Sequence, residues 1–188
     1  MSSNEQDIEN IVERNTTKRI KSGKKGKRVE LELVKALNSR FEVLLKNNPD
    51  WGQFSRSIGS GNRWGQNVVL SRAAKDTYTG DVTCPMNFRF VLESKGGYND
   101  VDLYAALEGS NSTLDSFLKQ VEDDSERSNR MPMLIWKKDR KPRLAFLKTK
   151  DLPSKSSNAF PCRFIYNEWS GVLFDDLMKQ SDEVFFNI

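Results

Sequence analysis

The chain has 188 residues, two cysteines and no histidine, with 30 basic and 26 acidic side chains giving a formal net charge of +4. Zero histidine excludes His-assisted serine and cysteine hydrolysis, His-based zinc sites and any nuclease that uses His as its base. Cys84 and Cys162 cannot build a disulfide framework, and each reads as a small hydrophobe. No stretch reaches the roughly 18 apolar residues of a membrane span. The polar N-terminus has no apolar signal region, so a soluble, intracellular (cytoplasmic) protein is expected.

In chain order, residues 1–14 can form a short acidic helix with Ile8, Ile11 and Val12 on one side. Residues 15–28 read as a flexible basic linker, with Ser22-Gly23 and Gly26 among Lys18, Arg19, Lys21, Lys24, Lys25, Lys27 and Arg28. Such a run either neutralises phosphates with release of counterions or is a solvated tail. From about residue 27 to 45 the pattern predicts an amphipathic helix with Leu33, Val34, Leu37, Phe41 and Leu44 in its stripe. Asn47-Asn48-Pro49 ends it. Residues 51–80 hold a Gly59-Ser60-Gly61 loop and a short apolar patch, Val68-Val69-Leu70.

Residues 81–83 and 88–95 read as strands separated by Cys84-Pro85, with Gly96-Gly97 stopping the second. Ser112 and Asp115 suggest a capping box for a helix to about Arg127, with Leu114, Phe117, Leu118 and Val121 inward. Residues 131–136 are apolar on both faces and predict a buried strand, joined by a Lys-Asp-Arg-Lys turn to a partner at 143–148. The region 160–188 is rich in aromatics, and a last helix is expected after Ser170, burying Phe174, Leu177 and Met178. The alternation of helices and strands indicates an α/β (α+β) architecture, a mixed sheet flanked by helices.

Three carboxylates stand out. On the strand 88–95, alternation turns Phe88, Phe90 and Leu92 one way and Arg89, Val91, Glu93 and Lys95 the other. Glu93 and Lys95 are then neighbours on one face, as a surface ion pair or a prepared site. Asp81 opens the preceding strand, where it is a turn residue or a second carboxylate converging on Glu93. Two converging carboxylates need a cation between them, and Mg²⁺ suits hard oxygen ligands, to which the Ser94 carbonyl can add one. Glu30 lies along the apolar stripe, since Leu33, Val34, Leu37 and Phe41 fall within about 60° of it at 100° per residue. It either ends the stripe at solvent or serves a site, because an unpaired buried charge is costly.

These residues resemble the PD-(D/E)xK nucleases, and among them the archaeal-type Holliday junction resolvases. The segment Gly26-Lys27-Arg28-Val29-Glu30-Leu31-Glu32-Leu33 is similar to the family's first-helix motif, with Glu30 at its acid. Ile58-Gly59-Ser60-Gly61 resembles its Ser/Gly loop. Gly80-Asp81-Val82 resembles the strand of the metal-binding Asp, with Gly80 where the superfamily name has Pro. Glu93-Ser94-Lys95 matches E-x-K, and Lys119-Gln120-Val121-Glu122 resembles the helix motif that follows.

The resemblance covers residues 26–148 and implies a restriction-endonuclease-like core over about 26–150. A basic arm (1–25) precedes it, and an aromatic extension (151–188) packs on it or on a dimer interface. It implies a DNA endonuclease selective for branched substrates, with Glu30, Asp81, Glu93 and Ser94 holding Mg²⁺, for which Mn²⁺ substitutes. Lys95 would orient water or stabilise the transition state, and Gln120 would position Lys95 or the phosphate. Ser60, Gly61, Arg56, Arg63, Lys24, Lys25, Lys27 and Arg28 would touch DNA, with Trp64 a stacking candidate. A homodimer without membrane or small-molecule partners is implied. A nuclease acting on ordinary duplex or single strands, and a non-catalytic DNA-binding protein, are the alternatives.

Overall fold

The structure, a computed structural model, describes residues 22–57, 79–98, 103–109, 111–153 and 160–188. The acidic segment 1–14, the patch at Val68–Leu70, and Ser60, Gly61, Arg63 and Trp64 lie outside these residues.

Helix α1 runs Ser22–Arg40, and a six-residue helix, α2 (Glu42–Asn47), follows after Phe41. The linker read over 15–28 is therefore helical from Ser22 onward. Lys and Arg are good helix formers, and their number offsets the roughly 1 kcal/mol cost of a glycine such as Gly26. Leu33, Leu37, Phe41 and Leu45 are buried along one side, the stripe expected from the period of 3.6.

A seven-stranded mixed sheet follows: β1 (Ser55–Arg56), β2 (Val82–Thr83), β3 (Phe90–Gly96), β4 (Met131–Lys137), β5 (Arg143–Lys148), β6 (Arg163–Tyr166) and β7 (Trp169–Leu173). Their spatial order is β1-β2-β3-β4-β5-β7-β6. Among the described residues only β3 and β4 pair in parallel, with Glu93 opposite Leu134 and Lys95 opposite Trp136. A parallel pair needs a crossover. Helices α3 (Leu103–Leu107) and α4 (Ser112–Ser128) lie in that connection. Helix α4 is capped by Asn111, whose side chain accepts from Leu114 N at 3.0 Å. The capping box read at Ser112 thus sits one residue too late.

Helices cover both faces. On one, α1 packs Leu33, Leu37 and Phe41 against Phe90, Leu92, Met133, Ile135, Ala145 and Leu147. On the other, α4 packs Leu114, Phe117, Leu118 and Val121 against Val91, Leu134, Trp136 and Phe146. Strands buried on both sides carry apolar residues at consecutive positions, which is why β4 lacks a polar alternation.

The C-terminal region is part of this core. Strands β6 and β7 extend the sheet, and the helix expected after Ser170 is the single turn α5 (Phe174–Leu177), because residues 169–173 pair with β5. Phe185 and Phe186 are almost fully buried. Their rings stand 5.2 and 5.0 Å from Phe41, and Phe186 is 5.2 Å from Phe88. Arg89 N donates to Phe185 O at 2.8 Å, and Asn187 N donates to Asn87 O at 3.0 Å. Phe160, Tyr166 and Trp169 are buried as well. No helix among the described residues is long and apolar enough to cross a membrane.

Candidate active site

Strand β3 changes character along its length. Phe90, Val91 and Leu92 are apolar and buried, and then Glu93 follows at 1 % exposure. Glu93 shares the α4 side of the sheet with Val91, as the period of two requires. Its Oε1 accepts from Lys95 Nζ at 2.5 Å and from Gln120 Nε2 at 2.6 Å. Lys95 Nζ also donates to Gln120 Oε1 at 2.8 Å. The three side chains close a ring of hydrogen bonds in which Gln120 serves one charge as donor and the other as acceptor. An amide carries both functions at its tip, on separate atoms. Lys95 also lies over the Phe117 ring, 5.4 Å from its centroid, a favourable cation–π position.

Asp81 enters from the bend directly before the neighbouring strand β2. Its backbone N donates to Leu92 O at 2.9 Å, and its Oδ2 accepts from Ser94 N at 3.0 Å. The side chain is thereby fixed beside the Glu93-Ser94 peptide. Gly80 makes this approach possible. Its φ is +81°, and a Cβ there would lie 2.6 Å from Leu92 O. Proline is confined to φ near −65°, so the superfamily's Pro cannot occupy position 80 in this backbone.

Burial, and then the charge of Asp81, push the Glu93 carboxyl up to about 8, against the opposing pull of Lys95. Burial alone would lower Lys95, but the charge and hydrogen bond of Glu93 outweigh it and hold the ammonium above its usual value. A buried carboxyl whose ionisation is opposed by a neighbouring carboxylate suits a shared cation. Mg²⁺ binds through one or two carboxylates, with waters and substrate oxygens completing its shell, so Asp81 and Glu93 fit that requirement.

Glu30 is 8 % exposed, and its carboxylate is engaged by the Arg56 guanidinium. The buried charge therefore has a cationic partner, which offsets its desolvation. Among the described residues, no three acidic, Cys or His side chains gather closely enough to hold a metal ion. Glu30, Asp81 and Glu93 thus do not form one such group here, and Arg56 faces the Glu30 carboxylate. Ser94 Oγ is buried without a hydrogen-bond partner.

Lys27 and Arg28 are exposed on the first turns of α1, and Arg28 lies 3.6 Å from Glu32. The next residue, Val29, packs against Gly96, where any Cβ would come within 2.6 Å of Val29 Cγ2. The basic start of α1 therefore stands beside the end of the E-x-K strand. The backbone of Lys24 and Lys25 belongs to the same helix.

One acid escaped sequence reasoning. Asp124 lies one turn beyond Gln120 on α4, is 8 % exposed, and pairs with Arg127 at 3.2 Å. Burial chiefly raises its carboxyl pKa, Arg127 opposes this, and Asp81 adds to the rise. Within the run Glu122-Asp123-Asp124 it looks like one more solvated charge. Its i,i+4 spacing from Gln120 was the signal that both face β3.

A helix-flanked mixed sheet, with an Asp directly before one strand and an E-x-K sequence on the next, defines a restriction-endonuclease-like fold carrying the residues of a PD-(D/E)xK motif. A family model described as "Phage putative PDDEXK endonuclease" matches residues 21–182, and the chain belongs to that family. It is accordingly a nuclease whose substrate is nucleic acid. No curated protein and no solved structure matches the chain.

Proposed function

We propose that this nuclease is a Mg²⁺-dependent DNA endonuclease, with Mn²⁺ able to replace Mg²⁺, that prefers branched DNA such as a four-way junction. The observation that carries the reading is the closed Glu93–Lys95–Gln120 ring beside Asp81. In this reading Asp81, Glu93 and the Ser94 carbonyl hold the divalent ion. Bound there, it supplies an activated water and offsets charge on the scissile phosphate.

The chain's own residues do the rest. Lys95 holds a compact positive charge at the mouth of the ring, suited to hydrogen-bonding an attacking water or a phosphate oxygen. Gln120 keeps that ammonium in place when substrate draws on it. Glu30 joins the acidic set only if Arg56 turns to a phosphate, an exchange of one anionic partner for another. Lys24, Lys25, Lys27 and Arg28, with Ser60, Gly61 and Arg63, contact the DNA backbone. Branched DNA cut on two strands calls for a twofold dimer. Its interface would lie away from Phe185 and Phe186, which the monomer core already uses.

The test is cleavage of supercoiled plasmid and of a synthetic four-way junction, each with Mg²⁺ or EDTA. Paired symmetric cuts in the junction, abolished by EDTA and by Glu93→Ala with binding retained, are the expected result. Nicking of plasmid without junction preference leaves a general DNA nuclease. Full activity of Glu93→Ala would remove the site assignment.

A further inference from the structure

Immediately beyond the E-x-K strand, Tyr98 sits in a conformation that L side chains avoid, with φ +50°. Gly97 before it has φ +88°, and its N–H donates to Lys137 O at 3.0 Å. The end of β3 is thereby tied to β4 while the chain turns sharply and throws the Tyr98 side chain back over α4. Positive φ in a bulky non-glycine residue opposes local stability, and such residues concentrate at functional sites. Glycine would meet the same turn without cost.

The ring that results is only partly used by the fold. It meets Phe117 edge-on, with centroids 4.8 Å apart and planes at 68°, yet Tyr98 remains 46 % exposed. Phe117 is the same ring over which Lys95 lies. One buried phenyl group thus carries both the site's ammonium and a half-open aromatic platform, about 10 Å apart at most. At roughly 3.4 Å per nucleotide along a stacked strand, that separation spans no more than about three nucleotides. Tyrosine has a rigid flat face, little rotamer entropy to lose and a polar tip, which suits stacking on a base.

We propose that Tyr98 is a substrate-positioning residue that stacks on an unpaired base flanking the phosphate held at Lys95. The inference rests on the nuclease reading and adds a contact beyond the Asp81, Glu93 and Lys95 set. It also gives a physical basis for preferring DNA with frayed or branched structure, since a base in an intact duplex has no free face to offer.

The experiment uses the full chain and a single-stranded oligonucleotide carrying 2-aminopurine. Binding is read by fluorescence without divalent ion, and cleavage kinetics with Mn²⁺. Tyr98→Phe keeps the platform and should match the wild type within about twofold. Tyr98→Leu keeps apolar packing on Phe117 but removes the flat ring. It should weaken binding and raise KM about tenfold, abolish the aminopurine quenching, and leave kcat nearly unchanged. Tyr98→Gly relieves the backbone, so it should fold while showing the same loss, and a thermal melt confirms that it does. Wild-type KM and quenching in Tyr98→Leu and Tyr98→Gly would overturn the proposal. Glu93→Gln serves as the separate control. If it cleaves as fast as the wild type, the catalytic assignment falls, while the binding data still decide the role of Tyr98.

Discussion

Gln120 and Glu93 lie 27 positions apart in sequence and meet at 2.6 Å, with the amide nitrogen of a helix residue donating to the most deeply buried carboxylate of the site. The contact joins α4 to β3, and through Lys95 it joins the site's two opposite charges.

Removing that amide should loosen Lys95 without unfolding the protein. We expect Gln120→Ala to lower kcat by about ten- to a hundredfold, as ångström-scale misplacement of a reacting group does, with a thermal melt close to wild type. Gln120→Glu keeps length and oxygen but loses the donor to Glu93. It should be at least as impaired, and activity equal to the wild type would show that the ring of hydrogen bonds has no part in positioning.

The Glu93 carboxyl gives a pH dependence with a definite sign. Its folded-state pKa of about 8 lies above the ordinary glutamate value of 4.5, so between these values the folded protein holds a proton that the unfolded chain has released. Stability of the metal-free protein should therefore fall as pH rises from about 4.5 to about 8, by roughly a few kcal/mol. Glu93→Gln should abolish most of that slope in urea melts taken across this range. Added Mg²⁺ should reverse it, because the ion takes the ionised carboxylate. Identical slopes in wild type and variant would place the titration elsewhere.

Gly80→Ala introduces a Cβ 2.6 Å from a backbone carbonyl at a φ of +81°. The loss should exceed about 1 kcal/mol, and the displaced Asp81 should cost activity as well. Gly80→Pro, which restores the residue of the superfamily name, should be worse still. Urea denaturation and plasmid cleavage on the same samples read both effects, and a neutral Gly80→Pro would contradict the backbone described here.

The aromatic hub predicts a large effect far from the chemistry. Phe186 is 1 % exposed and packs on Phe41, Phe88 and Trp51. Phe186→Ala should cost about 3–5 kcal/mol by lost burial and cavity formation, seen as a lowered denaturation midpoint. A change below about 1 kcal/mol would mean that the last residues do not seat in the core.

Much of this molecule is legible without coordinates. Leu33, Leu37 and Phe41 announce α1 by their spacing, and Leu114, Phe117, Leu118 and Val121 do the same for α4. Glu93 and Lys95 reveal their common face because β3 is regular from Phe90 onward. What could not be read depends on contacts distant in sequence. Strands β6 and β7 are short, mix Arg163 and Ser170 with aromatics, and become strands by pairing β6 with β7 and β7 with β5. The pairing of Arg56 with Glu30 spans 26 residues and leaves no local pattern. Tyr98 gave no pattern at all, since a positive φ is set by the turn after β3 and not by the tyrosine.

The placement of Phe185 and Phe186 has a consequence for biosynthesis. Helix α1 and strand β3 emerge from the ribosome early, yet the hub they share stays open until residue 186 has cleared the exit tunnel. The acids and the lysine are translated long before the scaffold that aligns them is finished. A nascent chain of this nuclease would therefore gain its aligned site only once residue 186 has emerged.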